Sequence, residues 1–375
     1  MLATDPTAVV YLDWNATTPP LADVVRAMEQ AALESWGNPS SVHATGRRAR
    51  ALVEDAREAV AELAGISPRD VVFTSGATEA NNIALRGAPA IVTSRIEHPS
   101  VVRAAELAGA EGRPVVWLPV PSHGRIEPSA VDAALDGLPR GTVVAVMAVN
   151  NETGVIQPLV DIEAIVRRHE ARLHVDAVQA AGKVAPEQWR VGDTLSLGAH
   201  KIRGPKGIGA LLLRTPGVPR PVVVGGPQER GIRPGTVDPI AAAGFAVAAR
   251  RALTGPARYA ALAPLRDELE DALAAFAVVN GLGVERVPHV ANLSFDGWRA
   301  DELVAALDLA GVQVAGGSAC SAGSAEPSKV VQAMLGAARA QSAVRFSLGD
   351  TTSRAEIDDA IPVILRVVAR YSSRP

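Results

Sequence analysis

Three short segments carry polar residues that could act on a single ligand. In "VVFTSGATEANN" an apolar run ends at residue 74, and Thr78 follows at a predicted helix start. "RLHVDAVQ" places Asp176 at the end of a second apolar run, and "TLSLGAHKIRG" places His200 and Lys201 in a turn after a third. Backbone N–H groups at a helix start can hold an anion, and a strand-end carboxylate needs a partner. A partly desolvated lysine has a lowered pKa, which favours imine chemistry. The first two features also have ordinary explanations, as a helix cap and as an ion pair with an arginine.

Together the three anchors match the needs of pyridoxal phosphate. The helix start would take the phosphate, and Asp176 would keep the pyridine nitrogen protonated so that the ring can withdraw electrons. Lys201 would form the resting imine. Ligands of open α/β sheets bind at the edge where the strands end. No anchor is specific alone, but their order, each after its own strand, predicts this cofactor.

The scarcity of lysine draws attention to Lys201. Only four of the 37 basic residues are lysines, and the other 33 are arginines. Arginine can neither form a Schiff base nor lose its proton at working pH, whereas lysine can do both. Lys183 and Lys329 could have a role that requires lysine. It is equally open that they are merely retained in a chain biased toward arginine codons.

Cys320 is the only cysteine of the chain and lies within "AGGSACSAGS". A single cysteine cannot form an internal disulfide or a multi-cysteine zinc site, so no metal is expected. A lone cysteine is normally a buried small hydrophobe, but the glycines, alanines and serines around Cys320 predict an exposed, mobile tether. That setting favours a functional thiol.

The overall composition excludes several classes of protein. The net charge is -3 without a basic run, which argues against nucleic-acid binding. The N-terminus lacks a signal-peptide pattern, and no apolar run reaches the roughly 20 residues that span a bilayer. A hydrophobic fraction of 48% predicts a sizeable core. We therefore expect a soluble, cytoplasmic globular protein.

Apolar runs alternate with helical patterns over the first two-thirds of the chain. Runs rich in Val, Ile and Leu that are apolar on both faces are typical of a buried, mostly parallel sheet covered by helices. After about residue 236 long helical stretches dominate, including one over 256–276, and the pattern becomes that of a smaller α+β domain. We expect a large cofactor-binding domain over 16–250, and a small domain formed by 1–15 and 251–375 that carries the Cys320 segment.

The sequence resembles the cysteine desulfurases, a branch of the class V aminotransferase family with the fold-type I pyridoxal phosphate architecture. The matching motifs run along nearly the whole chain: "YLDWNATTP", "GNPSSVHATGRRAR", "VVFTSGATEANN", "EHPSV", "VNNETGVIQP", "HVDAVQAAGK", "GAHKIRGPKGIGAL", "GGPQERGIRPGT", "GGSACSAGSAEPS" and "VRFSLG". The resemblance implies a seven-stranded, mostly parallel sheet. It also implies conversion of L-cysteine to L-alanine, with the sulfur passing to Cys320 as a persulfide and then to an acceptor protein.

The resemblance also implies a role for each site residue. Lys201 would be the Schiff-base lysine, Asp176 the partner of the pyridine nitrogen, and Cys320 the sulfur acceptor. His98 would stack on the cofactor ring and shuttle protons, and Gln179 and Asn151 would contact the phenolic oxygen. Ala77, Thr78 and His200 would bind the phosphate. Arg345 would bind the substrate carboxylate, which would also lie near Asn151. Thr236 would reach the phosphate in the other subunit, which implies a homodimer.

Two departures from the family pattern and two alternatives stand beside this interpretation. Gly198 occupies a position that is usually a phosphate-binding serine, and Pro227 replaces a common glycine. A selenocysteine lyase or another carbon–sulfur lyase of the same fold would not need the tethered Cys320. A non-catalytic desulfurase-like partner protein would be supported only by the two departures.

Overall fold

The chain alternates strands and helices in the computed structural model, which describes residues 9–215, 219–317 and 326–370. The strands are β1 Val10–Tyr11, β2 Val71–Thr74, β3 Ile91–Ser94, β4 Val115–Leu118, β5 Val143–Met147, β6 Arg172–Asp176, β7 Thr194–Gly198, β8 Gly209–Leu213, β9 Ala277–Val279, β10 Val290–Phe295, β11 Val312–Gln313 and β12 Ala343–Ser347. The helices are α1 Ala22–Glu34, α2 Ala44–Ala64, α3 Ala77–Leu85, α4 Pro99–Ala110, α5 Pro128–Leu135, α6 Leu159–Arg168, α7 Pro239–Ala252, α8 Gly255–Ala260, α9 Ala263–Leu273, α10 Ala300–Leu309, α11 Lys329–Leu335, α12 Ala337–Ala340 and α13 Arg354–Ala369. None of these helices is long and apolar enough to cross a membrane.

A seven-stranded sheet forms the centre of the larger part of the molecule. Its strand order is β2-β8-β7-β6-β5-β3-β4, and only β8 runs antiparallel to its neighbours. Every residue of β2, β3, β5 and β8 is buried, because helices cover both faces of the sheet. The predicted fold class is therefore confirmed.

A second sheet lies in the C-terminal part. Here β10 pairs antiparallel with both β9 and β12, and α9, α10 and α13 pack around them. The predicted single helix over 256–276 is wrong: it is divided into α8 and α9. Pro264 lies in the first turn of α9, where its ring and missing N–H are tolerated, although they would disrupt a helix interior.

Two large hydrophobic cores accompany the two sheets. One core lies under the seven-stranded sheet, and the other joins the C-terminal elements to Val10 and Leu12 of the N-terminal segment. The first core also includes Val287 and Met334, so side-chain packing crosses the boundary expected at residue 250. The proposed division into 16–250 and the remainder stays a prediction.

The N-terminal segment 10–18 links the two parts. β1 pairs in parallel with β11, and the backbone N–H of Ser347 donates to the carbonyl of Leu12 at 2.7 Å. Further along, the Thr18 hydroxyl donates to the carbonyl of His200 at 2.8 Å. The segment therefore contacts both the C-terminal sheet and the turn that follows β7.

Candidate active site

A cavity of about 440 Å³ lies at the carboxyl ends of the parallel strands. Its wall is formed by loops that follow β2, β3, β5, β6 and β7, as expected for an open α/β sheet. Nine of the predicted site residues line it: Ala77, Thr78, His98, Asn151, Asp176, Gln179, His200, Lys201 and Arg345.

Asp176 ends β6 and is 6% exposed. Its Oδ2 accepts from Nδ2 of Asn81 at 2.8 Å, and its Oδ1 accepts from the backbone N–H of Val178 at 3.1 Å. The side-chain amide oxygen of Asn81, Oδ1, lies 2.9 Å from Nε2 of His174. Burial lowers the pKa of His174 to about 4, so this imidazole is neutral at pH 7. Asp176 is therefore held by donors in a fixed orientation.

Lys201 closes a short turn after β7, Ala199–Lys201. Its Nζ donates to the carbonyl of Asn15 at 2.5 Å and to that of Ala16 at 2.8 Å. The side chain therefore reaches across the cavity to the N-terminal segment. The Oδ1 of Asn15 is buried and has no hydrogen-bond partner among the described residues. The same wall thus carries an amine and an unsatisfied acceptor, which is consistent with a site that binds a polar ligand.

The start of α3 forms the anion-binding end of the cavity. No side chain caps this helix, so the N–H groups of Ala77 and Thr78 are available to an anion. His200 lines the cavity, and its Nδ1 lies 3.1 Å from the hydroxyl of Thr17. Burial, reinforced by the charge of Lys201, lowers the pKa of His200 to about 4. The ring is therefore neutral at pH 7 and can donate a hydrogen bond to a phosphate.

His98 precedes α4 and is fixed by Ser100. Its Nδ1 lies 2.7 Å from the Ser100 hydroxyl and accepts from the Ser100 backbone N–H at 3.2 Å. Nδ2 of Asn81 donates to the same hydroxyl at 2.8 Å as well as to Asp176. A single buried asparagine thus connects the two predicted residues that would contact the cofactor ring.

Arg345 of β12 lines the cavity, although it is only 1% exposed. Its Nη2 contacts Oδ1 of Asp13 at 2.6 Å, and its Nη1 donates to the carbonyl of Asn151 at 2.9 Å. Asn151 also accepts from Nδ2 of Asn15 at 3.1 Å. The guanidinium is thus held in place beside the cavity by its own ion pair.

Two predicted site residues are not found at this cavity. Thr236 is exposed and lines a separate cavity of about 540 Å³ together with Arg57 and Glu229. Thr236 therefore does not line the cavity that contains nine of the other predicted site residues. Cys320 lies outside the described residues.

Sequence reasoning missed several residues that arrange the site. Asn81, Asn15 and Asp13 make the hydrogen bonds that orient Asp176, Lys201 and Arg345. All three lie within motifs that carry the resemblance, "VVFTSGATEANN" and "YLDWNATTP". Their place within those motifs is the signal that could have drawn attention to them, although Asn15 contacts Lys201 through its backbone carbonyl, which no side-chain pattern indicates.

The cavity residues fit pyridoxal phosphate. An uncapped helix start, a neutral imidazole, an oriented carboxylate and a lysine amine surround one space. Ala77, Thr78 and His200 would hold the phosphate, Asp176 the ring nitrogen, and Lys201 the aldehyde carbon. Glu79 of α3 does not line the cavity; its carboxylate pairs with Arg233 and accepts from the backbone N–H of Ser75 at 2.5 Å.

Comparison with known proteins places the chain in a family. Residues 10–359 match the model of the Aminotransferase class-V family. The chain belongs to this family, and its fold is the predicted α/β fold with a mostly parallel seven-stranded sheet.

The relatives narrow the assignment to the cysteine desulfurases. A cysteine desulfurase from Cereibacter sphaeroides is 43% identical, with 96% of this chain and 95% of the relative covered. A solved NifS-like protein superimposes with a TM-score of 0.87 at 33% identity, over 96% of this chain and all of the other. The structure titled SspA in complex with cysteine has a TM-score of 0.77 at 30% identity, over 92% and 99% of the two chains. The family resemblance predicted from the sequence is therefore confirmed.

Proposed function

We propose that the protein is a cysteine desulfurase that uses pyridoxal phosphate to convert L-cysteine to L-alanine. The observation that carries the proposal is that Lys201, Asp176 and the uncapped start of α3 all face one cavity. The relatives named above support the substrate, because one is named a cysteine desulfurase and another was solved in complex with cysteine.

The cofactor, when bound, withdraws electrons from the substrate's α-carbon and makes its sulfur electrophilic. The chain's own residues bind and orient. Asp176 is held as a hydrogen-bond acceptor for the ring nitrogen by Asn81 and by the backbone N–H of Val178. His98 is fixed at the cavity wall by Ser100, where it can move the substrate's proton.

Arg345 supplies the cation for the substrate carboxylate. Its Nη2 is paired with Asp13 at 2.6 Å, so substrate binding would add a second carboxylate to a guanidinium that is already oriented. A planar guanidinium has five N–H donors and can serve both.

Cys320 would accept the sulfur. Its thiolate attacks the substrate sulfur, the carbon–sulfur bond breaks, and L-alanine leaves with the electron pair and a proton. The product on the protein is a persulfide, which an acceptor protein then takes. Because the chain has no second cysteine, this persulfide cannot resolve as an internal disulfide.

The test is the mass of the peptide that contains Cys320. With L-cysteine and no acceptor, the parent protein should gain one sulfur atom on that peptide, and added thiol should speed repeated turnover. Cys320→Ser should retain the cofactor but transfer no sulfur, since a serine hydroxyl is not appreciably ionised at neutral pH. If Cys320→Ser formed alanine at a near-parental rate, with the released sulfur reduced to sulfide by the added thiol, a carbon–sulfur lyase would be favoured instead.

We also propose that the active unit is a homodimer in which Thr236 serves the partner's site. Its exposure and its distance from the chain's own cavity support this arrangement. The cytoplasmic location and transfer of the sulfur to an acceptor protein remain predictions.

A further inference from the structure

Lys183 is a buried lysine next to the active site that the proposed chemistry does not use. It is 2% exposed and follows β6 by seven residues. Its Nζ donates to Oε1 of Gln179 at 2.6 Å. Lys183 does not line the cavity, whereas Gln179 does. Lys183 therefore lies outside the cavity and contacts its lining through the Gln179 side chain.

The hydrogen bonds of Gln179 fix the orientation of its side-chain amide. Its Nε2 donates to the carbonyl of Asn15 at 2.9 Å, while its Oε1 accepts from Lys183. A rotated amide would set nitrogen against the Lys183 amine and oxygen against the Asn15 carbonyl, which loses both hydrogen bonds. The Asn15 carbonyl also accepts from Lys201 at 2.5 Å. Three hydrogen bonds therefore connect Lys183 to the lysine that would bind the cofactor.

The surroundings of Lys183 explain why this position is a lysine. Its Nζ lies 5.8 Å from the ring centre of Tyr259, and no salt bridge to Lys183 is found in the described part of the chain. Burial lowers the pKa of Lys183 well below its usual value, and the charges of Lys201 and Arg345 act in the same direction. The opposing charge of Asp350 is engaged by arginines such as Arg258. A guanidinium would bring five N–H donors into this buried space, whereas the Lys183 amine needs fewer acceptors, which fits a lysine in a chain that otherwise uses arginine.

We propose that Lys183 is a positioning residue that holds the Gln179 amide with Nε2, rather than Oε1, available to the cofactor. This inference rests on the proposed function, in which Gln179 reaches the phenolic oxygen of pyridoxal phosphate. That oxygen accepts hydrogen bonds, so an amide nitrogen attracts it and an amide oxygen repels it. The hydrogen bond from Lys183 disfavours the amide orientation in which Oε1 of Gln179 would face the cofactor, and it does so before the cofactor binds.

The experiment is a double-mutant cycle on the purified holoprotein. Its members are Lys183→Met, Gln179→Ala and the double variant. Methionine keeps the length and apolar character of the lysine stem, so the fold should be retained. The control is Lys329→Met, the same change at an exposed lysine that pairs with Glu326 at the surface. Two quantities are measured: the position of the cofactor's visible band, and the rate at which the protein loses that band on dialysis.

We expect Lys183→Met to shift the band and to raise the rate of cofactor loss about tenfold, the effect of one net hydrogen bond. In the Gln179→Ala background the same change should add nothing, because Lys183 acts through Gln179. Gln179→Glu keeps an acceptor for Lys183 but turns an oxygen to the cavity, so it should lose the cofactor at least as fast as Gln179→Ala. Lys329→Met should match the parent.

Three results would overturn the inference: parental behaviour of Lys183→Met, an undiminished effect of Lys183→Met in the Gln179→Ala background, or parental retention by Gln179→Glu. Each can be recognised only if the parent protein shows the cofactor band. Absence of that band from the parent would instead contradict the proposed function, so the two failures are distinguishable.

Discussion

Replacing Gly198 by serine should strengthen cofactor binding. Gly198 ends β7 with φ -125° and ψ 120°, an ordinary extended conformation that any residue adopts. A Cβ added there would lie 3.6 Å from Cδ2 of His200 and 3.8 Å from Cβ of Ala77, both normal contact distances. Serine therefore fits without moving its neighbours, and its hydroxyl would enter the end of the cavity where the phosphate is expected.

The size of the effect follows from the charge of the phosphate. A hydrogen bond to a charged group contributes about 1.5–3 kcal/mol net, which corresponds to a roughly 10- to 100-fold lower dissociation constant. Gly198→Ala is the matched control, because it adds the same Cβ without a hydroxyl. Both variants should gain about 0.4–1 kcal/mol in free energy of unfolding from the loss of glycine's freedom in the unfolded chain.

Titration of the cofactor-free variants with pyridoxal phosphate, followed by absorbance, gives the dissociation constants. Urea unfolding of the same cofactor-free samples gives the free energies. We expect the serine and alanine variants to be equally stable without cofactor, and only the serine variant to bind it more tightly. Equal affinity of the two variants would refute the placement of the phosphate beside Gly198.

Three further changes test other parts of the site and fold. Lys201→Arg keeps a cation but cannot form the imine, so alanine formation from L-cysteine should fall on the order of a thousandfold or more; a parental rate would contradict the cofactor assignment. Thr236→Ala should weaken cofactor retention in the dimer, and dilution of the parent should do the same, whereas a fully active monomer in sedimentation would exclude a shared site. His289 is buried against the ring of Tyr259, its ring nitrogens have no hydrogen-bond partner among the described residues, and burial lowers its pKa well below the usual value. Below about pH 6.5 His289 therefore binds a proton only in the unfolded chain, which lowers the free energy of unfolding as the pH falls. Without this histidine, His289→Phe should lose up to about 2 kcal/mol less unfolding free energy between pH 7 and pH 5 than the parent. Urea unfolding at both pH values would measure the difference.

Residues that follow buried strands were predictable from the sequence. Asp176 and Lys201 stand directly after apolar runs, and parallel strands bring such positions to one edge of the sheet. The resemblance extended this to His98 and Arg345, which line the same cavity.

What could not be predicted depends on contacts between distant parts of the chain. The ion pair of Arg345 with Asp13 joins residues 332 positions apart, and no local pattern indicates it. Asn81 lies inside a helix, where a buried asparagine looks like any exposed one until its partners are known. The break between α8 and α9 was missed because the apolar periodicity continues across Pro264. The burial of Lys183 was likewise invisible, since composition only marked it as one of four lysines.

The N-terminal segment has a consequence for the synthesis of the protein. Segment 10–18 is made before the seven-stranded sheet, whereas its partners β11 and β12 are made after that sheet. Domains fold as the chain emerges, so the large sheet can form while Asp13 still lacks Arg345. The carbonyls that hold Lys201 belong to this same segment. A nascent chain therefore cannot assemble the complete cavity until residue 347 has emerged, well after the seven-stranded sheet has been made, so the proposed cofactor would be captured late.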